Sequence, residues 1–326
     1  IKPAFCSFIF FKQKIFFFFS YCFNLNVWWI SNHDIKFLCK MTAKDINAIL
    51  PFNYKVLMHP LLNTAIKAAR RAGSIITRAS EDISSLTITS KNMNDFVSEV
   101  DLASEKEIIR VLSQAYPDHG FIAEESGLSE KKENMWIIDP LDGTTNFLHN
   151  IPQYCVSIAL KQKEEITHAV VYDPNRNHLF TASKGQGAYL NDRRIRVSKS
   201  PKLQDSIIGT GIPFRDFTYL PQYLVILEEI VKKTAGIRRP GSAALDLAYV
   251  AAGWFDGFWE IDLSTWDVAA GGLIVSEAGG MVSDFDEKNN WLLTGNIVAT
   301  NPKIYDPLIK IIQQHIPEEL RIKSSK

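Results

Sequence analysis

An eleven-residue run constrains this chain more than any other feature: Trp136-Ile137-Ile138-Asp139-Pro140-Leu141-Asp142-Gly143-Thr144-Thr145-Asn146. The spacing predicts an apolar strand that delivers Asp139 at its end, after which Pro140 forces an extended turn. Asp142 then stands beside a Gly-Thr-Thr sequence suited to opening a helix. Two carboxylates should converge on one point, next to backbone N–H groups that lack an intrahelical partner. Carboxylate oxygens with no thiolate or histidine cluster nearby favour hard cations such as Mg²⁺, which keeps several waters and coordinates substrate phosphate. A helix N-terminus attracts phosphate in its own right, through its orphan N–H groups and the macrodipole. The run therefore predicts a metal site and a phosphate site within one loop.

Three other acidic stretches are placed to complete such a site. Glu124-Glu125-Ser126-Gly127 follows the apolar pair Phe121-Ile122, so a strand again hands a carboxylate to a loop. Asp95 to Asp101 sets acids on either side of a short apolar run, and Trp266-Asp267-Val268-Ala269-Ala270-Gly271-Gly272 puts Asp267 at a helix start. Plainer readings stand beside these. An Asp before a helix often serves only as an N-cap, which applies to Asp101 and Asp267 taken singly. Glu125 reads as a solvated or supporting residue, and Trp136, Trp259 and Trp266 as core aromatics. The seven histidines show no spacing that resembles a metal pair or a nucleophile–base set.

Hydrophobic periodicity organises the chain around the run. Apolar residues from Leu61 to Ile76 recur at three- and four-residue intervals, the mark of an amphipathic helix. Lys91 to Asp101 reads as a turn into a second helix striped by Leu102, Ile108, Ile109 and Leu112. Strands are expected at Met135–Ile138, Tyr154–Leu160, Ala169–Tyr172, His178–Ala182, Gly257–Glu260, Met281–Asp284 and Ile297–Thr300. Helices are expected near Tyr219–Lys233, Ala243–Ala252, Val268–Ala278 and Lys303–His315. Helices on both sides of mixed sheets make a layered α/β (α+β) architecture.

Charge separates the first 57 residues from the rest. The 326-residue chain is formally neutral, yet residues 1–57 carry seven lysines against two acids and residues 58–326 carry a net charge of −5. The same 57 residues hold 11 of the 20 phenylalanines and three of the four cysteines. A signal peptide or membrane anchor is one reading of this Phe- and Lys-rich extension, but Ser20, Asn24 and Asn26 interrupt its apolar stretch short of the ~20 residues a spanning helix needs. The favoured reading is translation of an upstream noncoding stretch, with synthesis beginning at Met58 or Met41 and with 1–57 outside the folded protein. About 270 residues after Met58 are ample for a core. The acidic body argues against direct nucleic-acid or anionic-membrane binding. Its single cysteine, Cys155, excludes an internal disulfide there and points to a reducing, cytoplasmic setting.

Asp139-Pro-Leu-Asp-Gly-Thr-Thr-Asn146 together with Trp266-Asp-Val-Ala-Ala-Gly271 resembles the paired signatures of the inositol monophosphatase family, and Glu124-Glu-Ser126 and Asp95…Asp101 fall where that family has its other acids. The similarity covers essentially all of residues 58–326. It is nearest to the bacterial, SuhB-type members, through Met58-His59-Pro60 and the stretch Arg239-Pro-Gly-Ser-Ala-Ala-Leu-Asp-Leu-Ala248.

The resemblance implies a five-layered αβαβα sandwich of the inositol monophosphatase and fructose-bisphosphatase type, with residues 58–200 as the metal-binding half and 201–326 as the substrate-side half. It also implies Mg²⁺-dependent hydrolysis of a phosphate monoester, lithium sensitivity and a homodimer. Carried over by position, Glu124, Asp139, Asp142 and the carbonyl of Leu141 would hold a first metal. Asp139, Asp142 and Asp267 would hold a second, and Asp101 would bear on a third. Glu124 and Thr144 would orient the attacking water, and the amides of Gly143, Thr144 and Thr145 would bind phosphate. Arg238, Gly241, Ser242, Ala243, Glu260 and Asp267 would face a polyol, and Lys91 would belong to a lid.

Two positions depart from the family's pattern. Ser98 stands where Thr is usual, and Pro240 precedes the Gly-Ser-Ala loop where a small or hydroxyl residue is more common.

Myo-inositol 1-phosphate is the expected substrate. Fructose 1,6-bisphosphate, a 3′-phosphoadenosine nucleotide and histidinol phosphate are the alternatives. Glu260 favours a hydroxyl-rich monophosphate, because a carboxylate accepts hydrogen bonds from a polyol and repels a second phosphate. A reading of another class is a SuhB-type accessory role in ribosomal RNA transcription antitermination, reached through a protein partner.

Overall fold

A computed structural model describes residues 59–92, 95–213 and 217–322. The expectations for residues 1–57 lie outside the described residues.

In chain order the elements are α1 (Pro60–Ala79), β1 (Ile88–Asn92), β2 (Asp95–Ser98), α2 (Glu99–Ala115), β3 (Gly120–Ala123), β4 (Gly127–Leu128), β5 (Asn134–Asp142) and α3 (Thr144–Leu148). A meander follows: β6 (Cys155–Gln162), β7 (Glu165–Asp173), β8 (His178–Ser183), β9 (Gly187–Leu190) and β10 (Arg193–Arg194). The rest alternates: β11 (Ile207–Thr210), α4 (Leu220–Lys233), β12 (Gly236–Arg238), α5 (Ala243–Ala251), β13 (Gly257–Glu260), α6 (Thr265–Glu277) and β14 (Met281–Ser283). It ends with α7 (Trp291–Thr294), β15 (Ile297–Thr300), α8 (Tyr305–His315) and α9 (Glu318–Ile322).

An eight-stranded sheet, ordered β10-β9-β8-β7-β6-β5-β3-β4, is antiparallel except where β3 runs parallel to β5. A five-stranded sheet, ordered β12-β11-β13-β15-β14, is parallel across β12-β11-β13 and antiparallel beyond. Helices α1 and α2 cover one face of the large sheet, α5 and α6 lie between the two sheets, and α4 and α8 close the small sheet. This is the five-layered αβαβα sandwich.

The strand period of two distributes β5 between layers: Trp136 and Ile138 enter the core beneath α1 and α2, while Ile137 enters the core around α5 and α6. Full burial of side chains this size contributes ~1.5–3 kcal/mol each. Helix α1 starts at Pro60, capped by the His59 ring, which accepts the Leu61 N–H at 3.3 Å, and its stripe Leu62, Ala65, Ala69, Ala72 and Ile76 faces the sheet. Helix α6 has no polar face because it is enclosed by sheets on both sides, and Val268 to Val275 are all buried. Gly271 is required there, since a β-carbon would stand 2.5 Å from that of Leu247 on α5.

Two expectations are corrected. The segment from Lys91 is a hairpin rather than a turn: β1 and β2 pair antiparallel, and α2 begins at Glu99, where Ser98 takes up the N-cap. Strand β5 also continues through Pro140 to Asp142 instead of ending at Asp139. Its pairing with β6 shifts register between these two aspartates, and the irregularity accommodates a proline that has no N–H to donate.

Candidate active site

The register shift in β5 brings Asp139 and Asp142 towards the same point. One carboxylate oxygen each from Asp139, Asp142 and Asp267 lies within 4.8 Å of the others. Asp139 is 2% exposed, and its Oδ1 accepts the Leu141 N–H at 3.0 Å. Burial pushes its pKa well above the ordinary aspartate value, and the charges of Glu124, Asp142 and Asp267 push it further. Three converging carboxylates repel one another in this low-dielectric setting, so the cluster is built for a cation or for protons. An all-oxygen donor set fits Mg²⁺ and does not fit a soft metal.

Asp142 and Asp267 are each anchored at a helix start, as is Asp101. Asp142 Oδ2 accepts the Ser242 hydroxyl at 2.6 Å and the Ala244 N–H at 2.8 Å, so it caps α5 from a hundred residues away. Burial raises its pKa, and these donors offset part of the rise. Asp267 is the third residue of α6 and accepts the Ser264 N–H at 2.7 Å. Asp101 is the third residue of α2; its Oδ2 accepts the Ser98 N–H at 2.9 Å and the Ser98 hydroxyl at 2.5 Å. Capping and membership of the acidic cluster therefore coexist in Asp267, while Asp101 caps α2 beside Thr144. Asp101 is buried, which raises its pKa, and its Oδ1 lies 2.9 Å from Thr144 Oγ1. That hydroxyl also lies 3.0 Å from the Leu141 carbonyl, and its one proton can serve only one of the two acceptors at a time.

Gly143 sits in the left-handed region, at φ 98°, as N-cap of α3, where a β-carbon would crowd the carbonyl of Gln153 at 2.9 Å. The turn directs the first N–H groups of α3, those of Thr144 and Thr145, to a helix end that lines the same cavity. The cavity has a volume of about 360 Å³. Its wall also includes Glu124, Gly241, Ser242, Ala243 and Glu260. One residue expected at the site is placed differently. Arg238 is exposed and bonds the carbonyl of Ile237, whereas its neighbour Arg239 lines the cavity, because adjacent residues leaving a strand point to opposite sides. Lys91 falls within β1, and Asp95 opens β2.

Sequence reasoning gave no role to three residues at or beside the site. Glu105 on α2, 4% exposed, accepts the N–H groups of Glu125 and Ser126 at 2.8 and 2.9 Å and so fixes the turn that follows Glu124. Its position on the buried face of an amphipathic helix was the available signal. The Asn146 amide donates to the carbonyls of Gln153 at 2.8 Å and Pro240 at 2.9 Å, tying α3 to the loop before α5. Asp246, 2% exposed, lines the cavity with Oδ1 unpaired. Replacing Glu105 with Gln exchanges one acceptor for a donor that faces an N–H. The Glu105→Gln protein is expected to lose about 2 kcal/mol of stability in a urea titration.

The comparisons with known proteins agree with this geometry. The model of the inositol monophosphatase family matches residues 57–317. The protein called Nus factor SuhB in Escherichia coli K12 is 48% identical over 266 residues, which cover 81% of this chain and 100% of that protein. The solved extragenic suppressor protein suhB from Bartonella henselae is 44% identical, with a TM-score of 0.77 over 79% of this chain and 100% of its own. An inositol monophosphatase from Anabaena (Nostoc) is 36% identical, with a TM-score of 0.67 over 79% of this chain and 97% of its own. The clustered Asp139, Asp142 and Asp267, the sandwich that gathers them and these likenesses place the chain in the inositol monophosphatase family, among its SuhB-type members.

Proposed function

We propose that this protein is a Mg²⁺-dependent phosphate monoesterase acting on myo-inositol 1-phosphate. The observation that carries the reading is the convergence of Asp139, Asp142 and Asp267 within 4.8 Å at a cavity that also receives the N-terminus of α3. Glu124, Asp139, Asp142 and the Leu141 carbonyl would hold a first ion. Asp139, Asp142 and Asp267 would hold a second, and Asp101 would bear on a third. When bound, the cation supplies positive charge that polarises the phosphoryl group and makes water a better nucleophile.

The chain's own groups do the rest. The amides of Gly143, Thr144 and Thr145 bind the phosphate oxygens and fix the ester for in-line attack. Glu124 and Thr144 orient the water; Asp101 fixes the Thr144 hydroxyl through its 2.9 Å contact. Glu260, with Asp267 and the Gly241–Ala243 loop, accepts hydroxyls of the leaving alcohol, and Arg239 takes the place expected of Arg238.

The test is phosphate release from myo-inositol 1-phosphate, fructose 1,6-bisphosphate, histidinol phosphate and a 3′-phosphoadenosine nucleotide, with and without Mg²⁺. The inositol ester should give the highest kcat/KM, by about tenfold or more. A higher value for the bisphosphate or the nucleotide would overturn the assignment. The family's homodimer and its lithium sensitivity are part of the same proposal. The relatives named Nus factors support a second reading, an accessory role in a transcription complex through a protein partner. No helix among the described residues is long and apolar enough to cross a membrane.

A further inference from the structure

We propose that Gly211 is a specificity-determining position that acts through Glu260, and that the absence of a side chain at 211 is what lets this cavity select a polyhydroxylated leaving alcohol. The proposal rests on the phosphatase reading above and concerns which ester is preferred.

Strands β11 and β13 run parallel with Ile208 beside Gly257, Gly209 beside Phe258 and Thr210 beside Trp259. Continuing that register by one residue sets Gly211 beside Glu260, both at the wall of the cavity. A β-carbon built on Gly211 would overlap the carboxylate carbon and both carboxylate oxygens of Glu260. The Glu260 carboxylate therefore occupies the space that a side chain at 211 would fill. Asp246 lines the same cavity with its buried Oδ1 unpaired, and burial and then the charge of Glu260 push its pKa well above the ordinary aspartate value. Retreat towards Asp246 would bring two carboxylates together in a dry environment. A side chain at 211 must instead drive Glu260 into the cavity or out of its present rotamer.

A carboxylate fixed in one place accepts hydrogen bonds from adjacent hydroxyls of a polyol, and a displaced one does not. The reacting phosphate is held elsewhere, at α3 and the acidic cluster, so the effect should fall on the leaving group alone. Gly211 is thus a positioning residue, and its influence separates substrates by what their alcohols carry.

The experiment compares wild-type, Gly211→Ala, Glu260→Ala and Gly211→Ala/Glu260→Ala proteins on myo-inositol 1-phosphate and on p-nitrophenyl phosphate, whose leaving group has no hydroxyl to offer. Gly211→Ala should lower kcat/KM for the inositol ester by about 10- to 100-fold, chiefly through KM, and change that for the aryl ester by less than about threefold. The double variant should match Glu260→Ala in discrimination, because the two changes remove one interaction. A melting-temperature cycle accompanies the kinetics: any destabilisation by Gly211→Ala should disappear once the Glu260 side chain is removed. Equal loss on both esters, no loss on either, or destabilisation that persists in the double variant would overturn the proposal. Wild-type protein that releases phosphate from neither ester would instead sink the phosphatase reading, while the melting cycle still reports whether residue 211 acts through Glu260.

Discussion

The Asp139→Asn protein is expected to lose Mg²⁺-dependent phosphate release by about a thousandfold or more while remaining folded. Asp139 is the aspartate on which the charges of Glu124, Asp142 and Asp267 all act, and it is shared by both expected ion positions. An amide keeps the size of the side chain and can still accept the Leu141 N–H, but it brings no negative charge to a cation. Without metal, the substitution removes one of several charges that repel each other inside the fold, so stability should be unchanged or higher by about 1 kcal/mol. Near-native activity in the purified variant would show that the site is misassigned. The same variant separates the two functional readings in cells. If a deletion strain fails and a strain carrying only Asp139→Asn grows and makes ribosomal RNA normally, catalysis is dispensable and a protein-binding role is the one that matters.

Removal of the metal should abolish activity, and it should couple stability to pH with a defined sign. In the metal-free fold Asp139, Asp142 and Asp101 all have pKa values raised, chiefly by burial. A carboxyl whose folded pKa lies above its unfolded value is favoured by folding when protonated. Its contribution is fully present below the ordinary aspartate value of 3.8 and is lost as pH rises through the raised folded values. These groups therefore destabilise the chelated protein at neutral and alkaline pH, where a bound cation offsets their charge. With Mg²⁺ at a hundred times its Kd, the melting temperature at about pH 8 should rise by roughly 5 to 10 °C over protein in EDTA. The gain should shrink towards about pH 5, because protons compete with the ion for the same oxygens. A thermal-shift series across pH, with and without EDTA, checks this. A Mg²⁺-induced gain that is independent of pH, or one that survives in Asp139→Asn, would contradict the proposed donor set.

The legible part of this protein was the part encoded locally. Short apolar runs located β13 and β15 at their observed limits and helical patterns located α4, α5 and α8 to within two residues, because an element's own residue types and spacing report its kind. The Trp136–Asn146 run announced Asp139 and Asp142 together, since they lie three residues apart and meet through one irregular stretch of strand. The hairpin β1–β2 escaped notice because Lys91 to Asp101 has no clean alternation, and its pairing depends on the strand opposite. That Arg239 rather than Arg238 lines the cavity has a similar cause, as one residue of register decides which side chain leaves the strand towards it.

By itself, then, the sequence determined the layered class, the acidic chemistry and the family. Only the tertiary structure decided that Asp142 caps α5 through Ser242 and Ala244, that Glu105 holds the Glu124 turn, and that Gly211 yields its space to Glu260. Each of these contacts joins residues on different elements, and their geometry is set by sheet register and by the packing of helices between two sheets. Those are properties of the assembled core, which no window along the chain contains.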